Sequence, residues 1–367
     1  MLTGLKLEDF SGVLSTFYRP PLRFIDASGT GDNYHYEEYK MVNILHDSDA
    51  DLDQLDGKTI AVIGYGSQGT AQALCMRDSG VNVIVGTTRD AANHRAKDDG
   101  LEVYNVAEAT EKSDVIHILL PDEHHGWVYD EHIKPNLSPN KVLSCSHGFN
   151  IVFKQIVPGD DVDVIMVAPK SPATEERKAY LAGFGVPGLI AVEQDASGNA
   201  RTIALAMAKS MGFTRAGVLE CTFAQECYED LFGEQTVLCG GTVDLIKYGF
   251  EVLTEAGYPA EMAYFEVLHE VKLIVDLIYE GGIEKMNSVI SNTAEWGEYE
   301  TGPKIITPQV KENMKEALRA IEDGRFAEKW IAEFKNGCPN LLARRAALAE
   351  HPVEKVGTEI RALFEQG

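Results

Sequence analysis

Two acidic pairs stand out as residues that could do chemistry. Asp230 and Glu234 lie four residues apart, and so do Glu266 and Glu270. On a helix that spacing sets both carboxylates of a pair on one face, a turn apart. Like charges so arranged repel by roughly 0.3 kcal/mol per pair, and by more where the face is desolvated. Leu231, Phe232, Val237 and Leu238 surround the first pair, and Phe265, Val267, Leu268 and Val271 the second. No Lys or Arg lies within a helical turn of Asp230, where Glu226 and Glu229 add negative charge. A hard divalent ion, Mg²⁺ above all, takes carboxylate oxygens and would supply the missing cation. The plain alternative is a solvated acidic helix face. Two pairs, each in apolar company, weigh against it.

A second stretch, Gly64-Tyr65-Gly66-Ser67-Gln68-Gly69, has the spacing GxGxxG. It follows an apolar strand-like run, 58–63, and opens a helical segment, 70–79, which Gly80 closes before a second run at 81–85. In that context the first glycine makes the tight turn and the second admits a pyrophosphate to the backbone N–H groups. The third lets helix and strand pack closely, with the helix N-terminus facing the phosphates. A dinucleotide site is expected.

The elements that must carry these residues alternate. Strand-like runs at 114–120, 141–146, 162–167, 188–192 and 216–219 are interleaved with helical segments, including 199–211, as in a doubly wound, mostly parallel sheet. Ligands of such sheets bind beyond the carboxyl ends of the strands, where His147 and Lys170 fall. Taken singly, each is equally an ordinary polar loop residue. Asp122, His124 and His125 cluster after Pro121 and read as a polar loop beside the cofactor, since no fourth ligand follows at metal spacing. Beyond Cys221 strand patterns vanish, and helices are expected at 235–256, 260–279, 308–323, 325–336, 341–349 and 353–363. A polar break is expected at 288–303. The domains are therefore an N-terminal extension at 1–41, an α/β Rossmann-type domain at 42–221 and an all-α domain at 222–367.

The totals bound the function. A net charge of −24 and pI ≈ 4.8 argue against nucleic acid and anionic membrane as partners. The six cysteines form no CxxC, and most lie in apolar runs, as expected of buried thiols in a reducing compartment. There is no long apolar run and no signal-peptide pattern, so a cytoplasmic protein is expected.

The motifs GYGSQG at 64–69, SHGF at 146–149, APK at 168–170, DLFGEQ at 230–235, LCGG at 238–241, LHEVKLIVDL at 268–277 and ISNTAE at 290–295 resemble ketol-acid reductoisomerase in its short form. The likeness runs from about residue 47 to the C-terminus. It implies an alkyl shift in 2-acetolactate or 2-aceto-2-hydroxybutyrate, then reduction by a nicotinamide cofactor to the 2,3-dihydroxy acid, a step of valine and isoleucine biosynthesis. It also implies two Mg²⁺ ions on Asp230 (bridging) and Glu234, completed by Glu266 and Glu270. His147 and Lys170 match active-site positions, Glu270 is implied in proton relay, and Ser291 in binding substrate. Cofactor contacts are implied for Gly64–Gly69, Thr88, Arg89, Asp90, Asp122, Glu123, His124, His125 and Ala173. The family's helical domain is knotted, an exception to the usual topology rules. Its active site is shared in a homodimer, with the second acid pair and the serine coming from the partner.

After the second strand the segment 86–95, GTTRDAANHR, departs from the family's NADPH-using short forms. Thr88 stands at their arginine position and Ala91 at a serine position, while Asp90 adds a negative charge. Arg89, His94 and Arg95 are near enough to compensate. NADH preference, or dual use, is expected. Two other readings compete with the isomeroreductase: a metal-free two-domain hydroxyacid dehydrogenase using Lys170, and a non-catalytic nucleotide sensor. Mg²⁺ dependence separates the first from both.

Overall fold

A computed structural model describes residues 43–364, and the expected extension at 1–41 lies outside them. Nine strands form one sheet: β1 (Ile44–Leu45), β2 (Thr59–Ile63), β3 (Asn82–Gly86), β4 (Glu102–Tyr104), β5 (Val115–Ile118), β6 (Val142–Cys145), β7 (Asp163–Pro169), β8 (Gly188–Gln194) and β9 (Val218–Glu220). Their order is β1-β9-β8-β7-β6-β5-β2-β3-β4. From β4 to β7 all neighbours are parallel, β7 pairs antiparallel with β8, and β1 antiparallel with β9. Strand order reverses at β2, which opens a crevice beyond its carboxyl end.

Helices cover both faces of the sheet, so its central strands read as unbroken apolar runs. Ile60, Ala61, Val62 and Ile63 of β2 are fully buried. Ile60 and Val62 pack with Ala73 and Met76 of the helix Ser67–Asp78, and Ala61 and Ile63 with Ala109, Tyr129 and Ile133 on the opposite face.

The helical part begins at Thr222, whose hydroxyl and backbone N–H exchange hydrogen bonds with Gln225 in a capping box. The helix Phe223–Gly233 then runs into a π-turn, Glu234–Leu238, before Gly240–Glu255. A second π-turn, Phe265–His269, separates Ala260–Tyr264 from Glu270–Val289, which kinks where Gly282 takes φ 81°. Both acidic pairs thus sit at α-to-π transitions, which recur at functional sites. Phe149, from the loop after β6, packs with Cys227, Leu231, Ile321 and Ala327, and this cluster ties the helices to the sheet.

Two expectations are corrected. The stretch 288–303 is not a polar break, because Ser291 caps a helix, Asn292–Ile305, by accepting from the Ala294 N–H at 3.2 Å. The i,i+4 contacts of Glu295 with Tyr299 and Glu300 with Lys304 support it, while Pro303 removes only one backbone bond near its end. The Asp122–His125 cluster is likewise not a loop, since it opens the helix Asp122–Val128 directly after Pro121. The six cysteines are all free, and only Cys75, Cys145 and Cys227 are buried.

Candidate active site

The glycine loop leaves β2 at the crevice. Gly64 takes φ +99°, a conformation that side chains disfavour. A Cβ on Gly69 would lie 2.2 Å from the Gly64 carbonyl oxygen, so the helix can approach the loop only with glycine there. Beside Gly66 the space is open. Arg95 donates to the Tyr65 carbonyl at 2.8 Å, and the Tyr65 hydroxyl donates to Asp99 at 2.8 Å. The helix Asp90–Asp98 and the residue that follows it therefore hold the loop in place. A cleft of about 280 Å³ follows, walled by Gly66, Thr88, Arg89, Ala91, Arg95 and His124. Asp90, the exposed first residue of its helix, is outside that wall and forms no ion pair with Arg89 or Arg95 among the described residues. Ser67 opens the helix behind the loop, and Ala173 opens the helix Ala173–Leu181 just beyond the cavity.

The cavity itself, about 690 Å³, joins the two parts of the fold. Gln68, Ser146, His147 and Lys170 line it from the strand ends, and Asp230 and Glu234 from the helices. His147 follows β6 and Lys170 follows β7, so adjacent parallel strands deliver them side by side. The residue that gathers them is Glu226, which is 2% exposed. One of its oxygens accepts from His147 Nδ1 at 3.0 Å and from the Gly148 N–H at 3.0 Å. The other accepts from Lys170 Nζ at 3.0 Å, and the same ammonium donates to Asp230 at 3.0 Å. A Cβ on Gly148 would come within 2.6 Å of the Phe223 carbonyl oxygen, so that glycine lets the loop reach the helix.

Lys170 corrects the reading that Asp230 has no cation nearby. None is near along the chain, but one is folded in from 60 residues away. Glu226 was seen in the sequence only as added charge. Its signal was the continuation of the four-residue spacing, Glu226-Asp230-Glu234, along one helix face.

Electrostatics follow from this packing. Burial opposes the His147 imidazolium, but the Glu226 hydrogen bond and charge, with Asp122 and Asp230, prevail and push it up to about 9. Burial likewise opposes charge on Glu226, and His147 and Lys170 outweigh it to hold that carboxyl below its ordinary value. Glu234 is shifted the other way, upward, by partial desolvation and then by Asp230. The Glu234 end of the face thus remains short of positive charge. His147, Glu226 and Asp230 offer ligand atoms within 4.8 Å of one another. Oxygen donors on an open cavity wall suit a hard cation.

The second acid pair and the serine lie elsewhere. Glu266, Glu270 and Ser291 are exposed and line no part of this cavity. Asp122 and His125 both line it, Asp122 accepting from Asn150 at 3.2 Å and His125 Nε2 lying 2.8 Å from the Leu120 carbonyl. Glu123 faces a separate cleft of about 370 Å³ with Trp127 and Trp330.

Known proteins are similar to this chain over both of its parts. A family profile described as the acetohydroxy acid isomeroreductase NADPH-binding domain matches residues 54–217, and one described as the ketol-acid reductoisomerase C-terminal domain matches 223–366. A ketol-acid reductoisomerase (NADP(+)) of Akkermansia muciniphila is 66% identical over 325 residues, 89% of this chain and 100% of that protein. A ketol-acid reductoisomerase (NAD(+)) of the uncultured archaeon GZfos26G2 is 60% identical over 331 residues, again 89% of this chain and 100% of that one. A solved structure of an NADH-preferring ketol-acid reductoisomerase from an uncultured archaeon superposes with a TM-score of 0.86 at 60% identity, covering 88% of this chain and 99% of that one. With both profiles matched and relatives this similar over their full length, the chain belongs to the ketol-acid reductoisomerase family.

Proposed function

We propose that this chain converts 2-acetolactate, or 2-aceto-2-hydroxybutyrate, to the 2,3-dihydroxy acid by an alkyl shift followed by hydride transfer from a reduced nicotinamide. The observation that carries this reading is the single cavity in which the glycine-loop helix, His147, Lys170, Asp230 and Glu234 meet. Asp230 and Glu234 would hold Mg²⁺, whose chemistry is to acidify the substrate hydroxyl and polarise the neighbouring carbonyl. Lys170 Nζ, held between Glu226 and Asp230, stabilises negative charge that develops on substrate oxygen. His147 keeps its Nδ1 on Glu226, which fixes the ring and supports a proton on it at neutral pH. The apolar walls at Leu119, Leu120 and Leu231 limit water around the migrating group.

Glu266, Glu270 and Ser291 complete the site from a second copy of the chain. This is supported by their exposure and by the apolar surface around them, where Leu238, Val252, Leu273, Val275 and Trp296 are half or more exposed. In that dimer Glu270 takes part in proton relay. The cofactor is NADH, or either form, because Thr88 and Ala91 in the cleft wall offer less to a 2′-phosphate than arginine and serine, and Asp90 adjoins them. Among the described residues no helix is long and apolar enough to cross a membrane, and free thiols fit a cytoplasmic setting.

The test is oxidation of NADH and NADPH by the protein with 2-acetolactate, with and without Mg²⁺. Turnover that needs both the acid and the metal is expected. Reduction of simple oxo acids by NADH or NADPH without metal, or oxidation of hydroxy acids by the oxidised cofactor, would overturn the reading in favour of a dehydrogenase.

A further inference from the structure

Beneath the cavity floor runs a line of buried polar side chains that the chemistry above does not use. His117 of β5 is fully buried at the centre of the sheet. Its Nδ1 lies 2.8 Å from the Ser144 hydroxyl and its Nε2 2.7 Å from Gln72 Oε1. Gln72, also fully buried, places Nε2 3.2 Å from Gln68 Oε1 and 3.2 Å from the Ser146 hydroxyl. Gln68 and Ser146 both line the cavity.

The far end of the line sets its direction. Ser146 Oγ lies 2.8 Å from the Val167 carbonyl, which can only accept, and 3.3 Å from Gln72 Oε1, so the shorter contact takes its one proton. Ser146 then accepts from Gln72 Nε2 at 3.2 Å, and Gln72 Oε1 makes its shortest contact, 2.7 Å, with His117. His117 consequently carries its hydrogen on Nε2, and Nδ1 accepts from Ser144. Burial depresses the imidazole to about 3, so it stays neutral and the line carries orientation, not protons. The second hydrogen of Gln72 Nε2 takes Gln68 Oε1. Gln68 is left with its amide nitrogen outermost, 3.4 Å from the Ser171 carbonyl at the cavity wall.

We propose that His117 and Gln72 are positioning residues that orient Gln68, so that the glycine loop presents an N–H donor and not a carbonyl to the bound dinucleotide. This rests on the reading that a reduced nicotinamide dinucleotide occupies the loop. An anionic pyrophosphate is attracted by the N–H and repelled by the oxygen, so a misoriented amide weakens cofactor binding more than it alters the chemical step.

The experiment measures Kd for NADH and NADPH by fluorescence of the bound cofactor, together with kcat and cofactor KM. Gln72→Met and His117→Leu are each expected to raise Kd and KM about five- to tenfold, with kcat changed less than about twofold. His117→Gln, which keeps a donor toward Gln72, is expected to restore near-native Kd. In a Gln68→Met background, Gln72→Met should add almost nothing, an outcome that a merely structural role would not produce. Native Kd in folded Gln72→Met overturns the proposal, as does an equal loss in His117→Gln and His117→Leu. If Gln72→Met does not fold, the two His117 variants carry the same comparison. Should the wild type bind neither cofactor, the functional reading fails separately. Nitrogen NMR of the His117 ring then decides the relay, since a proton on Nδ1 in place of Nε2 overturns it.

Discussion

On the sheet side of the cavity, β2 buries Ile60, Ala61, Val62 and Ile63 completely, and the glycine loop is pinned by Arg95 and Asp99 from the same chain. On the helical side, Tyr248, Val252, Leu273, Val275 and Trp296 face outward with half or more of their surface exposed. Two acids of the first pair reach the cavity there, and two of the second do not. A sheet covered on both faces by its own crossover helices satisfies itself, whereas helices that leave a broad apolar face open need a further surface. Under the proposed function, cofactor binding would be a property of one chain and the metal site a property of two copies.

The sharpest way to break the comparison is Asp230→Asn. An amide cannot replace a carboxylate that pairs with Lys170 and, under the proposed function, would hold a cation, so turnover should fall by about a thousandfold or more. Cofactor affinity, which belongs to the sheet side, should stay within about twofold. A parallel loss of cofactor binding would show that the two sides are not separable.

Mixing sharpens it further. Asp230→Asn and Glu266→Gln should each be inactive alone. After subunit exchange, half the dimers are mixed and each has one intact site, so about a quarter of native activity should return. Demonstrated exchange with no recovery would place all four acids in one chain.

The sheet side buries one carboxylate without compensation. Glu176 is 1% exposed and neither carboxylate oxygen has a partner, so burial pushes it up to about 8 from an ordinary 4.5. Between those values the folded chain keeps a proton that the unfolded chain has released. Stability therefore falls as pH rises through that window and levels off above it. Glu176→Met should be more stable by up to about 5 kcal/mol above pH 8, with the gap closing towards pH 5, read by denaturant unfolding. A gap that does not change with pH would mean that packing, not ionisation, separates the two proteins.

The smallest effect concerns the outer end of the cofactor cleft. Asp90→Ser should move the NADH to NADPH ratio of kcat/KM about tenfold towards NADPH, since it removes a negative charge adjoining Thr88 and Ala91 of the cleft wall. A wild type with strong NADPH preference, or a ratio unmoved by the substitution, would sink the NADH reading.

Much of this was legible along the chain because it is local. GxGxxG between an apolar run and a helix needs only neighbours to be read, and the same holds for alternating strands and helices and for acids four apart. Where local signals conflicted, as Gly297, Gly302 and Pro303 did with the Ser291 cap, the sequence overstated the breakers. It also understated the helix that opens after Pro121. What tertiary structure alone decided is which distant groups share a volume. Glu226 meets Lys170 across 56 residues and His147 across 79, and Gln72 meets His117 across 45. No periodicity records those meetings, because they depend on strand order in the sheet and on how closely a loop such as that at Gly148 approaches a helix. The exposure of Glu266, Glu270 and Ser291 is of the same kind. Spacing shows which side chains share a face, but only the packed fold shows which faces it leaves uncovered.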